Sequence, residues 1–200
     1  MSYSEFTLRK IKKDFQLTIV EGGRFLPKTE PVAASPMLQQ YLESYLPWAI
    51  AVGSEKAKSE TIVAPVLLEL KRLVNEPISI FSGRDFTVDS ALGLSGICDF
   101  LISRSAEQLD IEAPVAVLVE AKKDSLNVGL GQCIAEMIAA QLFNQQNEND
   151  IPIIYGATTS GTAWRFLKLQ GKTVTIDLTD YPLPPLDELL GILCWVVGQG

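Results

Sequence analysis

The stretch Val115-Ala116-Val117-Leu118-Val119-Glu120-Ala121-Lys122-Lys123 passes from apolar to charged in a single step. A valine-rich run of this kind, with Pro114 before it, reads as a strand buried on both faces of a sheet. Side chains two apart on a strand share a face, so Glu120 and Lys122 point together while Ala121 points away. Upstream, Leu94 to Ser103 is a second strand candidate, and it carries Asp99 among hydrophobic neighbours.

Other elements flank this pair. Ile78 to Val88 is a third strand candidate, with bends expected at Ser82-Gly83 and Leu92-Gly93. Ser54 to Asn75 carries a helical period in Ile62, Val63, Val66, Leu67, Leu70 and Val74, and Pro65 should kink or restart the helix. Glu60 falls near the angular position of Val63 and Leu67 and so leans toward the core, with a surface acid beside the stripe as the alternative. Val128 to Asn144 reads as a helix with the stripe Leu130, Ile134, Met137, Ile138 and Leu142, and a polar loop from Gln145 to Asp150 ends it. Ile151 to Thr158 is another buried strand, and Ala163 to Leu169 with Thr173 to Leu178 forms a hairpin about Gln170-Gly171-Lys172. A terminal helix begins near Leu186, with Trp195 as core or a dimer contact. Ahead of all this come a short strand over Phe15 to Val20, a proline-marked connection and a short helix over Met37 to Leu46. Helix, three strands, helix and further strands make a three-layer α/β arrangement, a central mixed sheet flanked by helices.

The chain has 200 residues, 47% of them hydrophobic, which suits one domain with a full core. Its three cysteines, Cys98, Cys133 and Cys194, lie far apart in apolar sequence and read as reduced thiols of a cytoplasmic protein. Histidine is absent, which excludes Ser-His-Asp triads, Cys-His pairs and His-Glu-x-x-His metal sites. Hydrolytic chemistry would have to run on carboxylates, lysine and a metal. The net charge of −7 argues against tight non-specific nucleic-acid binding, although it leaves room for a local basic channel. No signal peptide is visible, and Leu186 to Val197 is too short to span a bilayer, so no membrane partner is expected.

Asp99 and Glu120 on neighbouring strands supply the oxygens that magnesium prefers, together with the Ala121 carbonyl. Two such charges about 4 Å apart repel by about 4 kcal/mol at an effective dielectric of about 20, so a cation should sit between them. Lys122 can be that cation, closing a salt-bridged network without a metal. Alternatively it assists an attacking water or stabilises charge on a phosphate. Trp164, Arg165 and Lys168 are further candidates for nucleic-acid contact, with packing as the plainer role for the tryptophan.

Asp99, then Glu120-Ala121-Lys122, then a helix carrying Gln132 resembles the PD-(D/E)XK nuclease superfamily, the restriction-endonuclease-like fold. The resemblance covers Ser54 to Leu169 and implies an α-β-β-β-α-β core over 54–169, with 1–53 an N-terminal elaboration and 170–200 a C-terminal strand and helix. It implies a catalytic set of Asp99, Glu120, Lys122 and Gln132. Mg²⁺ or Mn²⁺ would be held by Asp99, Glu120 and Ala121, with Glu60 as the acid of the first core helix. The implied activity is phosphodiester hydrolysis, expected on DNA, by a lysine-assisted water, with a homodimer possible. Cys98 stands where the family has proline, and Glu136 where exonuclease branches have tyrosine. The alternative class is a catalytically silent nuclease-like domain serving in binding or assembly.

Overall fold

In a computed structural model that describes residues 2–149 and 151–198, a mixed eight-stranded sheet is covered by helices on both faces. Asp150, the expected end of the polar loop, lies outside the described residues.

The N-terminal segment makes a 3-10 turn (Tyr3–Glu5) and helix α1 (Leu8–Asp14), capped by Thr7, whose hydroxyl accepts from the Lys10 N–H. No apolar period announces α1, because Ile11 is its only buried residue. The strand expected from Phe15 is found as β1 (Thr18–Gly22): Phe15 closes α1, and Gln16 turns the chain at φ 53°. Helix α2 (Pro36–Val52), capped by Ser35, runs past the expected end at Leu46 to a left-handed Gly53 at φ 65°.

Helix α3 (Glu55–Lys58), a wide π turn (Ser59–Val63) and α4 (Ala64–Leu73) follow as one continuous piece. Pro65 explains the wide turn. Proline has no N–H, and its ring presses on the carbonyl four residues back; the wider turn, closed by the Ala64 N–H on the Ser59 carbonyl, relieves that crowding. The same turn breaks the 3.6-residue register between Glu60 and Val63. Glu60 accordingly does not lean toward the core: its side chain is 66% exposed and lies 3.5 Å from the Lys56 ammonium.

Strands β2 (Ser79–Asp85), β3 (Ile97–Ser103) and β4 (Val115–Ala121) form an antiparallel meander. Helix α5 (Leu130–Gln146) crosses over to β5 (Ile154–Thr159), which runs parallel to β4. The order helix, three strands, helix, strand is thus the one expected. Strands β6 (Ala163–Gln170) and β7 (Thr173–Asp177) make the hairpin, and β1 adds in parallel beyond β7. A two-residue β8 (Tyr181–Pro182) pairs with β6, and α6 (Leu186–Gly198) ends the fold. Across the sheet the order is β1-β7-β6-β5-β4-β3-β2.

One face of the sheet packs against α2, α4 and α6 through Leu42, Leu67, Leu70, Phe100, Val119 and Leu193. Trp195 meets Tyr155 edge to face at 5.8 Å, so the apolar residues of α6 are committed within the chain. The other face packs against α5, which α1 and the 3-10 turn cover in turn through Tyr3, Phe6 and Ile11. Ile138 and Leu142, expected in the core stripe of α5, are only half-buried. Cys133, Ala135 and Glu136 are fully buried, because the helix is covered on two sides. The Asn144 side chain fixes the far end of α5 by exchanging both hydrogen bonds with the backbone of Val115, at 2.7 and 2.8 Å.

Gly131 lets the N-terminal segment reach α5. A Cβ there would stand 2.3 Å from the Phe6 carbonyl oxygen and 2.8 Å from the Leu8 nitrogen, both backbone atoms that cannot turn aside. Gly131→Ala is therefore expected to destabilise the fold by about 3 kcal/mol, the upper end of ordinary overpacking. A urea midpoint unchanged from the wild type would refute this close approach.

Candidate active site

The end of β4 sets the geometry. Lys122 continues the parallel ladder, its N–H donating to the Thr159 carbonyl at 2.7 Å, so the alternation that governs β4 extends through it. Glu120 and Lys122 consequently share the face toward α5, as the sequence pattern requires. The Lys122 ammonium pairs with Glu120 Oε1 and lies 3.4 Å from Gln132 Oε1. Gln132 donates through Nε2 to Glu136 Oε1 at 3.1 Å, one turn further along the helix. Glu120 is 1% exposed and Glu136 fully buried.

No N–H donor reaches Glu120 Oε2 or Glu136 Oε2. The two carboxyls lie close enough for each to act on the other's protonation. Burial, then the Asp99 charge, raise the Glu120 carboxyl to about 7 against the pull of Lys122. Burial, then the Glu120 charge, hold Glu136 well above the usual carboxylate range. An ion pair alone would lower an acid, so for Glu120 desolvation and like-charge repulsion outweigh the lysine. Burial would lower the Lys122 ammonium, but the Glu120 carboxylate wins and raises it.

Asp99 sits where β3 and β4 part. Their register pairing ends at Phe100 and Val119, and beyond it Asp99 Oδ2 accepts the Ala121 N–H at 2.9 Å. A side chain thus takes over from the backbone at the point of separation. A cleft of about 270 Å³ opens there, lined by Asp99, Ala121, Ser59, Glu60, Gly83 and Glu55. The residues expected at the site therefore fall into two groups on either side of β4. Asp99, Ala121 and Glu60 line the cleft; Glu120, Lys122 and Gln132 lie toward α5. Charge couples the groups, since Asp99 pushes on Glu120. Among the described residues no three acidic, cysteine or histidine side chains converge on a point.

Glu136 was not legible as a site residue, although it is the only charged residue from Gly129 to Gln146. Thr158 was missed as well; it stands in register with Glu120 on β5. Trp164 packs as an interior residue, fully buried with its indole N–H on the Gly161 carbonyl at 3.2 Å, and offers no stacking face. Arg165 is held by Asp180 and Asn127, and the Lys168 ammonium lies over the Phe25 ring at 5.6 Å. All three cysteines are free thiols.

Fold and site together define an α/β protein whose mixed sheet ends in a buried acid–lysine network beside an open acidic cleft. The chain matches no family model, no curated protein and no solved structure. Among the described residues no helix is long and apolar enough to cross a membrane.

Proposed function

We propose that this protein is a metal-dependent phosphodiester hydrolase acting on DNA. The observation that carries the reading is the buried Glu120 Oε2, an oxygen with no hydrogen-bond partner in a carboxyl that burial and the Asp99 charge raise to about 7. Asp99 and Glu120 share one ammonium, and their mutual repulsion favours a further cation. Mg²⁺ or Mn²⁺ would be held by Asp99, Glu120 and the Ala121 carbonyl, with Glu60 across the cleft. One or two carboxylates with waters completing the shell is the habit of magnesium, so a full protein cage is not required. When bound, the ion supplies neutralisation of phosphate charge and polarisation of a phosphoryl oxygen.

Lys122 has its pKa raised, so it is an ammonium at neutral pH. Its part is to donate to a phosphate oxygen and to balance developing charge, not to abstract a proton. Gln132 bridges Lys122 to Glu136 and so positions it.

The direct Lys122–Glu120 ion pair favours a second reading, a silent nuclease-like domain used for binding or assembly. The deciding experiment is cleavage of labelled single-stranded, duplex and branched DNA, and of RNA, with Mg²⁺ or Mn²⁺. Asp99→Asn, which keeps an acceptor for the Ala121 N–H, is run beside the wild type. Metal-dependent cutting of DNA that the variant loses is the expected result. A folded wild type that neither cuts nor binds Mn²⁺ would leave the silent domain as the reading.

A further inference from the structure

Thr158 lies on β5 directly opposite Glu120 on β4, in a parallel pair, so both side chains stand on the same face of the sheet. Both residues are buried, Thr158 completely, and each carries an oxygen with no hydrogen-bond partner: Thr158 Oγ1 and Glu120 Oε2. They also meet at one place. A Cβ built on Gly129, which precedes the first turn of α5, would lie 3.1 Å from Lys122 Cγ, 3.2 Å from Thr158 Cγ2 and 3.3 Å from Glu120 Cγ. Thr158 therefore shows its methyl to Gly129, and the acid, the lysine and the threonine all pack against that one glycine.

A buried hydroxyl without a partner is rare in a packed sheet, because valine fills the same volume without the desolvation cost. Two such oxygens on neighbouring strands, in register and on one face, match the polar partners that an internal water requires. We propose that Thr158 is a positioning residue of the site, its hydroxyl and Glu120 Oε2 sharing one buried water that orients the Glu120 carboxylate. The role of Glu120 toward a cation rests on the function proposed above; the shared water does not.

The test measures two quantities on Thr158→Val, Thr158→Ser and wild-type protein without added metal. The first is Tm; the second is Mn²⁺ affinity, by titration calorimetry. With the shared water, Thr158→Val gains nothing in Tm, Thr158→Ser matches the wild type, and Mn²⁺ affinity falls about tenfold in the valine variant alone, as for other outer-shell partners. A Thr158→Val protein melting about 2–4 °C above the wild type would show an idle hydroxyl and overturn the proposal. An unraised Tm with wild-type Mn²⁺ affinity would overturn the positioning role. A wild type that binds no Mn²⁺ would remove the metal-dependent function instead, with the melting comparison still deciding the water.

Discussion

Lys122→Ala is expected to abolish cleavage, by at least about 10³-fold, while leaving Mn²⁺ binding largely in place. The rate effect follows from removing a desolvated positive charge from the phosphate, a class of change worth about 10²–10³ or more. Metal binding survives because Asp99, Glu120 and the Ala121 carbonyl remain, and the lost ammonium frees Glu120 Oε1. The variant also loses stability, since Glu120 is 1% exposed and keeps Asp99 as a like-charged neighbour. Breaking such a pair costs about 3 kcal/mol at neutral pH. Below pH 4.5, the ordinary value for this carboxyl, Glu120 is protonated whether folded or unfolded, and the cost nearly vanishes. Hydrolysis at the wild-type rate by the purified, folded variant would reject the catalytic role of Lys122. A stability loss independent of pH would reject the charge argument.

Glu136→Gln is expected to be more stable than the wild type at pH 8 and close to it at pH 4.5. Burial and the Glu120 charge raise the Glu136 pKa, so above about 4.5 the folded wild type keeps a proton that the unfolded chain releases. Stability from this group is complete below the unfolded value and declines as pH rises toward the folded one. The decline is about 1.4 kcal/mol per pH unit across that window. Glutamine has no proton to release. It still accepts from Gln132 through its carbonyl and offers an N–H toward Glu120. Glu69, whose pKa is lowered by Arg72 and Ser35 despite partial desolvation, contributes in the opposite sense, but equally in both proteins. Urea unfolding of the two proteins from pH 4.5 to 8 reads the difference directly, and parallel curves would show that Glu136 ionises freely in the fold.

What could be read in advance was local. The run Val115 to Val119 read as a strand buried on both faces, and the alternation beyond it placed Glu120 and Lys122 on one face before any tertiary contact was considered. The α4, β2, β3, β4, α5, β5 order followed from apolar period and turn residues in the same way. Of the two readings of Glu60 the surface acid holds, because Pro65 widens the helix upstream and a 3.6-residue wheel does not apply across a π turn. Helix α1 escaped because one buried side chain makes no period.

The side of β4 to which Glu120, Ala121 and Lys122 point is therefore a property of the sequence alone, since strand alternation is a short-range steric rule. Tertiary structure decided the environment of those residues. Tyr3, Phe6 and Ile11, more than a hundred residues away in the chain, close over α5 and turn Glu136 from a helix-surface acid into a buried one. The parting of β3 and β4 sends Asp99 to the Ala121 N–H and opens the cleft. Register across β4 and β5 brings Thr158 beside Glu120. Desolvation and charge repulsion depend on distance through space, so the raised Glu120 and Glu136 pKa values exist only once these remote segments have met.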